Sequence, residues 1–119
     1  MEQKALIISE ETVKKYLTPE DVIDIVEKTW KWYGEGKVIM PNKITTDMTE
    51  LNVPGWFNSM PAYIGPMDVA GIKVVGGYDG NRALGLPYIK ANLLVTFFSI
   101  FISSGVTSIT IRNILMIHT

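Results

Sequence analysis

The chain has no cysteine and one histidine. The first absence excludes a disulfide framework, a thiolate nucleophile and a cysteine-ligated metal. The histidine, His118, stands next to the last residue, where a side chain lacks the partners that a general base or a ligand needs. The acidic residues are scattered without ligand spacing, so no metal site is expected. Charge of either sign is scarce in the second half: beyond Lys90 only Arg112 carries it. Elsewhere the lysines and arginines are dispersed and the net charge is -1, which gives no stripe for nucleic acid. No G-x-G-x-x-G run exists, and Gly76-Gly77-x-x-Gly80 has the wrong spacing for one, so no cofactor-binding residue is predicted. Finally, no basic segment leads into an apolar run near Met1, so no secretory signal is expected and the cytoplasm is the default.

What is present is enough for one domain: 119 residues. Ala5 to Ile8 is a short strand candidate, and Ser9 followed by Glu10 and Glu11 starts a short helix ending near Leu17. Thr18-Pro19-Glu20-Asp21 is a second, stronger start, with Asp21 placed to close a capping box. Val22, Ile25, Val26, Thr29 and Tyr33 then fall on one helical face, flanked by Trp30 and Trp32. Gly34 and Gly36 end that helix. Lys37 to Thr46 reads as extended with Pro41 inside it, which suits an edge. Trp56–Met60 and Val69–Gly76 are strands, Ile64–Asp68 and Gly77–Asn81 are turns, and Leu86–Thr96 is extended again. The fold class is α+β, with early helices packed on a mixed β-sheet.

Gly55 to Pro87 carries the chemistry-bearing features. Alternation in Gly71-Ile-Lys-Val-Val75 sets Lys73 opposite Ile72 and Val74, and Asn58 falls on one side with Trp56 and Met60. Met60-Pro61 reads as a corner. Taken alone, the alternation favours Lys73 as a strand lysine with its head in solvent; the flanking motif reverses that. In order along the chain, Gly36–Pro41 (GKVIMP), Met60-Pro61-Ala62-Tyr63, Ala70–Val75 (AGIKVV), Gly80-Asn81 and Gly85-Leu86-Pro87 resemble the N-terminal domain of the ornithine cyclodeaminase/mu-crystallin family. The likeness covers roughly residues 6–96.

The resemblance implies an amino acid or imino acid as substrate and NAD as cofactor of the full-length family. It also implies a homodimer built partly through this domain. Lys43, the basic residue after the first extended segment's proline, and Lys73 are the implied carboxylate-binding residues; the family more often has arginine at the first position, whose fork holds a carboxylate better. Asn58 stands where ornithine-using members can carry an acid, so a diamine loses its charge partner. Tyr88 stands where the family usually has a small hydroxyl residue, and its ring would narrow the pocket or simply pack. Arg112 lies in a weak echo of the family's arginine segment.

No catalytic residue is assigned, because in the family hydride transfer needs a second, Rossmann domain. This stretch is therefore expected to be a partial domain, residues 1–96, followed by a divergent apolar tail, 97–119, truncated or frame-shifted, and inactive by itself. The alternatives are a non-catalytic mu-crystallin-like binding module and an inactive fragment. The uncharged run Ala91–Ile111 is long enough for a membrane span, but its serines and threonines and its start inside a strand motif favour an association-prone β segment over a membrane.

Overall fold

The computed structural model describes residues 6–103 and 106–118, and the side chains of residues 7–96. It is built from two helices and seven strands in the order β1 (Leu6–Ser9), α1 (Glu10–Tyr16), α2 (Pro19–Gly34), β2 (Val38–Ile39), β3 (Ile44–Asp47), β4 (Gly55–Ile64), β5 (Val69–Tyr78), β6 (Ile89–Ser103) and β7 (Val106–His118). Single 3-10 turns at Met48–Leu51, Gly65–Met67 and Asp79–Leu84 join the later strands.

Both helices start where local chemistry asks. The Ser9 hydroxyl accepts from the Thr12 N–H, and the Thr18 hydroxyl accepts from the Asp21 N–H at 3.1 Å while Asp21 Oδ2 accepts from the Thr18 N–H at 3.0 Å. That reciprocal pair satisfies two donors that a helix start leaves without partners. At the far end of α2, Glu35 caps the helix and Gly36 takes φ +74°.

The strands form one sheet, ordered β1-β7-β6-β5-β4-β2, with β3 also paired to β4. Only the β1–β7 pairing is parallel among the described residues. The α+β class with a mixed sheet is thus the observed one. α1 contacts β1 and α2 contacts β2, strands at opposite edges of the sheet. The 16 residues of α2 span roughly 24 Å, close to the five interstrand spacings that separate those edges. Its role in the topology is therefore to carry the chain across the sheet.

Two readings of the sequence need correction here. Met60-Pro61 is no corner: β4 runs straight through it to Ile64, and Pro61 pairs with Ile72 of β5. The proline is tolerated because of what lies on the other side. β3 pairs with β4 up to Ser59 and β2 pairs from Tyr63, so Pro61 faces the interval between the two short edge strands. No ladder partner there requires an N–H, and Pro41 sits inside the same interval. The second correction concerns Gly77–Asn81: β5 continues to Tyr78 before the chain turns.

The boundary drawn at Thr96 falls within β6, where the β6–β7 register shifts by one residue between Thr96 and Phe97. The run Ala91–Ile111 lies in β6, β7 and the segment joining them; no helix among the described residues is long and apolar enough to cross a membrane. Among the described side chains no hydrophobic residue is buried, and the buried polar residue is Asn58. The apolar face of α2 remains open; Ile25, Val26, Thr29, Trp30 and Tyr33 line a cleft of ≈260 Å³ together with Val38 and Met40.

Candidate functional site

Register decides which of the predicted residues meet. On β4, Trp56, Asn58, Met60 and Ala62 share one face, and pairing sets Gly77, Val75, Lys73 and Gly71 of β5 beside them. Leu93 of β6 continues the row beyond Lys73. On the other side, Thr45 of β3 pairs with Asn58 and Ile44 with Ser59. Lys43 directly precedes that ladder, outside the paired residues. Lys73 stands beside Met60, and Lys43 lies one residue beyond the end of the β3 ladder on the other side of β4. Both are exposed, and among the described residues neither makes an ion pair, whereas Lys14, Lys15 and Lys37 all do.

Asn58 occupies the next row. It is 8% exposed, and its Oδ1 accepts no hydrogen bond among the described residues. A buried amide oxygen left in this state costs free energy until something donates to it. The sequence indicated the face of Asn58 but not its burial, which comes from the strands on either side.

One row further stands Trp56. A Cβ on Gly77 would lie 2.9 Å from Cε2, Cζ2 and Nε1 of its indole, so the ring lies directly across the glycine. Nε1 donates to the Tyr88 hydroxyl at 3.3 Å, slightly longer than the usual N–H···O range. The Arg82 guanidinium stacks over the Tyr88 ring at 4.8 Å. Trp56 and Arg82 are thus members of this cluster that sequence reasoning missed. The motif Gly76-Gly77 signals the first, because only a residue without a side chain leaves room for a ring from the neighbouring strand.

Arg112 does not join the row. Its backbone pairs with Phe97, whereas the row of Lys73 meets β7 at Ile117; the Arg112 side chain lies outside the described residues. The backbone of His118 pairs with Ser9 and Asn92, and its side chain is likewise outside them. No group of His, Asp and Glu among the described residues is arranged to hold a metal.

This sheet is shared with known proteins. The model of the ornithine cyclodeaminase/mu-crystallin family matches residues 3–106. The chain belongs to that family. An alanine dehydrogenase of Archaeoglobus fulgidus is 29% identical over 92 residues, covering 77% of this chain and 27% of the dehydrogenase. Among solved structures, Thermococcus litoralis Δ1-pyrroline-2-carboxylate reductase, in complex with NADH and L-proline, has a TM-score of 0.75 at 22% identity, covering 95% of this chain and 31% of the reductase. An archaeal alanine dehydrogenase dimer with bound NAD follows at 0.74 and 24%, covering 96% of this chain and 31% of the dehydrogenase. At these identities the structural matches speak for the fold. The chain spans about a third or less of the length of each of these proteins. The two solved structures hold NADH with L-proline and NAD, respectively.

Proposed function

We propose that this chain is the substrate-binding part of an NAD-dependent enzyme that acts on an amino or imino acid. Hydride transfer at the α-carbon is the shared chemistry, with ammonia release where the member is a cyclodeaminase. The observation that carries the reading is Lys73 beside Met60, with Lys43 just before β3 on the other side of β4 and neither lysine in an ion pair among the described residues. In this reading the carboxylate binds above Met60 and takes its charge partners from the two lysines. Each lysine gives a point charge, so neither alone fixes orientation and the pair is needed.

NAD does not fit the residues described here. Gly76 and Gly77 are buried inside β5 and Gly80 lies in a 3-10 turn, so the glycines form no strand-turn-helix cradle for a pyrophosphate. The cofactor site, and the residues that hold its reacting face against the α-carbon, belong in this proposal to the portion of the family enzyme that this chain does not span. Assembly as a homodimer in the full-length enzyme is part of the same reading. What these residues contribute is binding and orientation, which supply a large share of the rate in such reactions.

Titration calorimetry with L-alanine, L-proline, L-ornithine and L-arginine tests the site. At least one should bind at millimolar concentration, and Lys73→Met should weaken it at least tenfold. A folded protein that binds none of them, or a Lys73→Met variant that binds as well as the native chain, ends this reading.

A further inference from the structure

We infer that Asp79–Gly80 is a self-modifying site, where the backbone isomerises to an isoaspartyl link; this stands apart from what the chain binds. The Gly80 nitrogen attacks Cγ of the Asp79 carboxyl in its protonated form. A C–N bond forms, the N–H proton and the carboxyl hydroxyl leave as water, and a five-membered succinimide closes. Water then reopens the ring. Where it adds at the main-chain carbonyl, the original peptide C–N bond breaks and the chain runs on through the Asp79 side chain. No oxidant or co-reactant takes part, and the charge is the same before and after.

The reaction needs a free carboxyl, a free N–H on the next residue and room for that residue to turn. The carboxylates of Asp21, Asp47 and Asp68 instead accept hydrogen bonds from Thr18, Thr49 and Tyr63. Asp24 lies inside α2, where the following N–H is committed to a carbonyl four residues back. Each of these four precedes a bulky residue (Val22, Ile25, Met48 or Val69) that crowds the attacking nitrogen. Asp79 differs on every count. Its carboxylate makes no hydrogen bond or ion pair among the described residues. Gly80 is exposed, and a Cβ on it would meet nothing within 4 Å. Its N–H stands at the opening of the Asp79–Leu84 turn, where no earlier carbonyl of the helix receives it. The rotation that brings this nitrogen to Cγ disturbs only 3-10 hydrogen bonding, whose geometry is poorer than that of an α-helix.

The product carries one more main-chain carbon, about 1.5 Å of extra chain, between two sets of fixed points. Before it, the Tyr78 N–H donates to the Tyr88 carbonyl and the Asp79 N–H to the Pro54 carbonyl, both at 3.1 Å. After it, Asn81 Nδ2 donates to the Pro87 carbonyl at 2.9 Å and the Arg82 guanidinium stacks on Tyr88. One set must give, so isomerisation reshapes the turn that carries Arg82.

The test follows an oxygen label. The folded full chain is held in oxygen-18 water at neutral pH, returned to ordinary water and digested with trypsin. Cleavage after Lys73 and Arg82 releases Val74–Arg82, which holds Asp79. A second peptide of this sequence should accumulate, heavier by one oxygen-18 and giving isoaspartyl-specific ions on electron-transfer fragmentation. Asp21, Asp24, Asp47 and Asp68 should gain no label over the same period. Gly80→Ala, which adds bulk where space is open, should slow the labelling severalfold, and Asp79→Glu should abolish it at this position. Label that appears at Asp79 only when urea unfolds the chain refutes the inference, because the fold then shields the turn. Equal labelling in Gly80→Ala, or label located at Asn81 instead of Asp79, refutes it as well.

Discussion

Gly71 offers a direct check on how β5 meets β6, and hence on where Lys73 stands. A Cβ at this position would lie 2.8 Å from the carbonyl oxygen of Leu94. Carbon–oxygen contacts between strands normally sit near 3.3–3.6 Å, so Gly71→Ala must open the ladder by roughly half an ångström. The obstacle is backbone held in a sheet, which cannot rotate away as a side-chain tip does. Overpacking of this kind costs about 1–3 kcal/mol. Loss of glycine's freedom in the unfolded chain returns about 0.4–1 kcal/mol. The net expectation is a loss of about 1–2 kcal/mol. With a urea slope of about 1.5 kcal/mol/M, the denaturation midpoint should fall by about 1 M. Gly80→Ala is the control: nothing lies within 4 Å of its Cβ position and its φ is outside the left-handed region, so its midpoint should stay within a few tenths of molar. Equal midpoints for Gly71→Ala and the native chain would show that β6 does not pack against β5 in this register, and the placement of Lys73 beside Leu93 would fall with it.

Other consequences can be measured separately. Thr18→Ala removes the hydroxyl half of the capping box and should cost about 1 kcal/mol, read by urea denaturation monitored through helical circular dichroism. Asp21 accepts hydrogen bonds from the Thr18 N–H and hydroxyl, which hold its carboxyl below the ordinary aspartate value. A depressed folded value means that its contribution is complete above about pH 4 and fades as the pH falls through the folded value. The stability difference between native protein and Asp21→Asn should therefore be flat from pH 5 to 8 and shrink below that range. The Tyr63 hydroxyl donates to Asp68 Oδ1 at 2.9 Å, and that bond raises its ionisation above the usual tyrosine value. In an ultraviolet titration Asp68→Asn should bring one tyrosine back toward pH 10. Finally, the open cleft on α2 should bind an apolar dye such as anilinonaphthalene sulfonate, and Val26→Asp should reduce that fluorescence severalfold, as Val26 lines it.

The parts of this fold visible in the sequence are those set by near neighbours. Ser9, Thr18, Pro19 and Asp21 announce both helix starts because every partner in a cap lies within three residues. The β5 strand and the face carrying Lys73 follow from simple alternation. Pro61 misleads for the opposite reason. Whether a strand tolerates proline depends on what stands beside it, and the gap between β2 and β3 is a property of a different segment. The Trp56–Tyr88 contact joins residues 32 apart, and the burial of Asn58 needs strands from both sides. Lys43 and Lys73 could be named through the family resemblance, but the pairing that sets Lys73 beside Met60, with Lys43 just before β3, appears only once β3, β4 and β5 are in register.

The pairing of β1 with β7 has a consequence for the order of events when the chain is made. Leu6 finds its partner at Leu115, so nearly the whole chain must be synthesised before the first strand has a place to go. At roughly 10 residues per second on a ribosome that wait is on the order of ten seconds, far longer than a hairpin needs to close. The β4–β5 and β5–β6 hairpins, joined by Gly65–Asp68 and Asp79–Tyr88, can be complete well before then. The sheet should grow from its centre outward, with β1 docking last. The long loop this closes makes that step the slow one, because contacts so distant in sequence cost the most entropy to bring together.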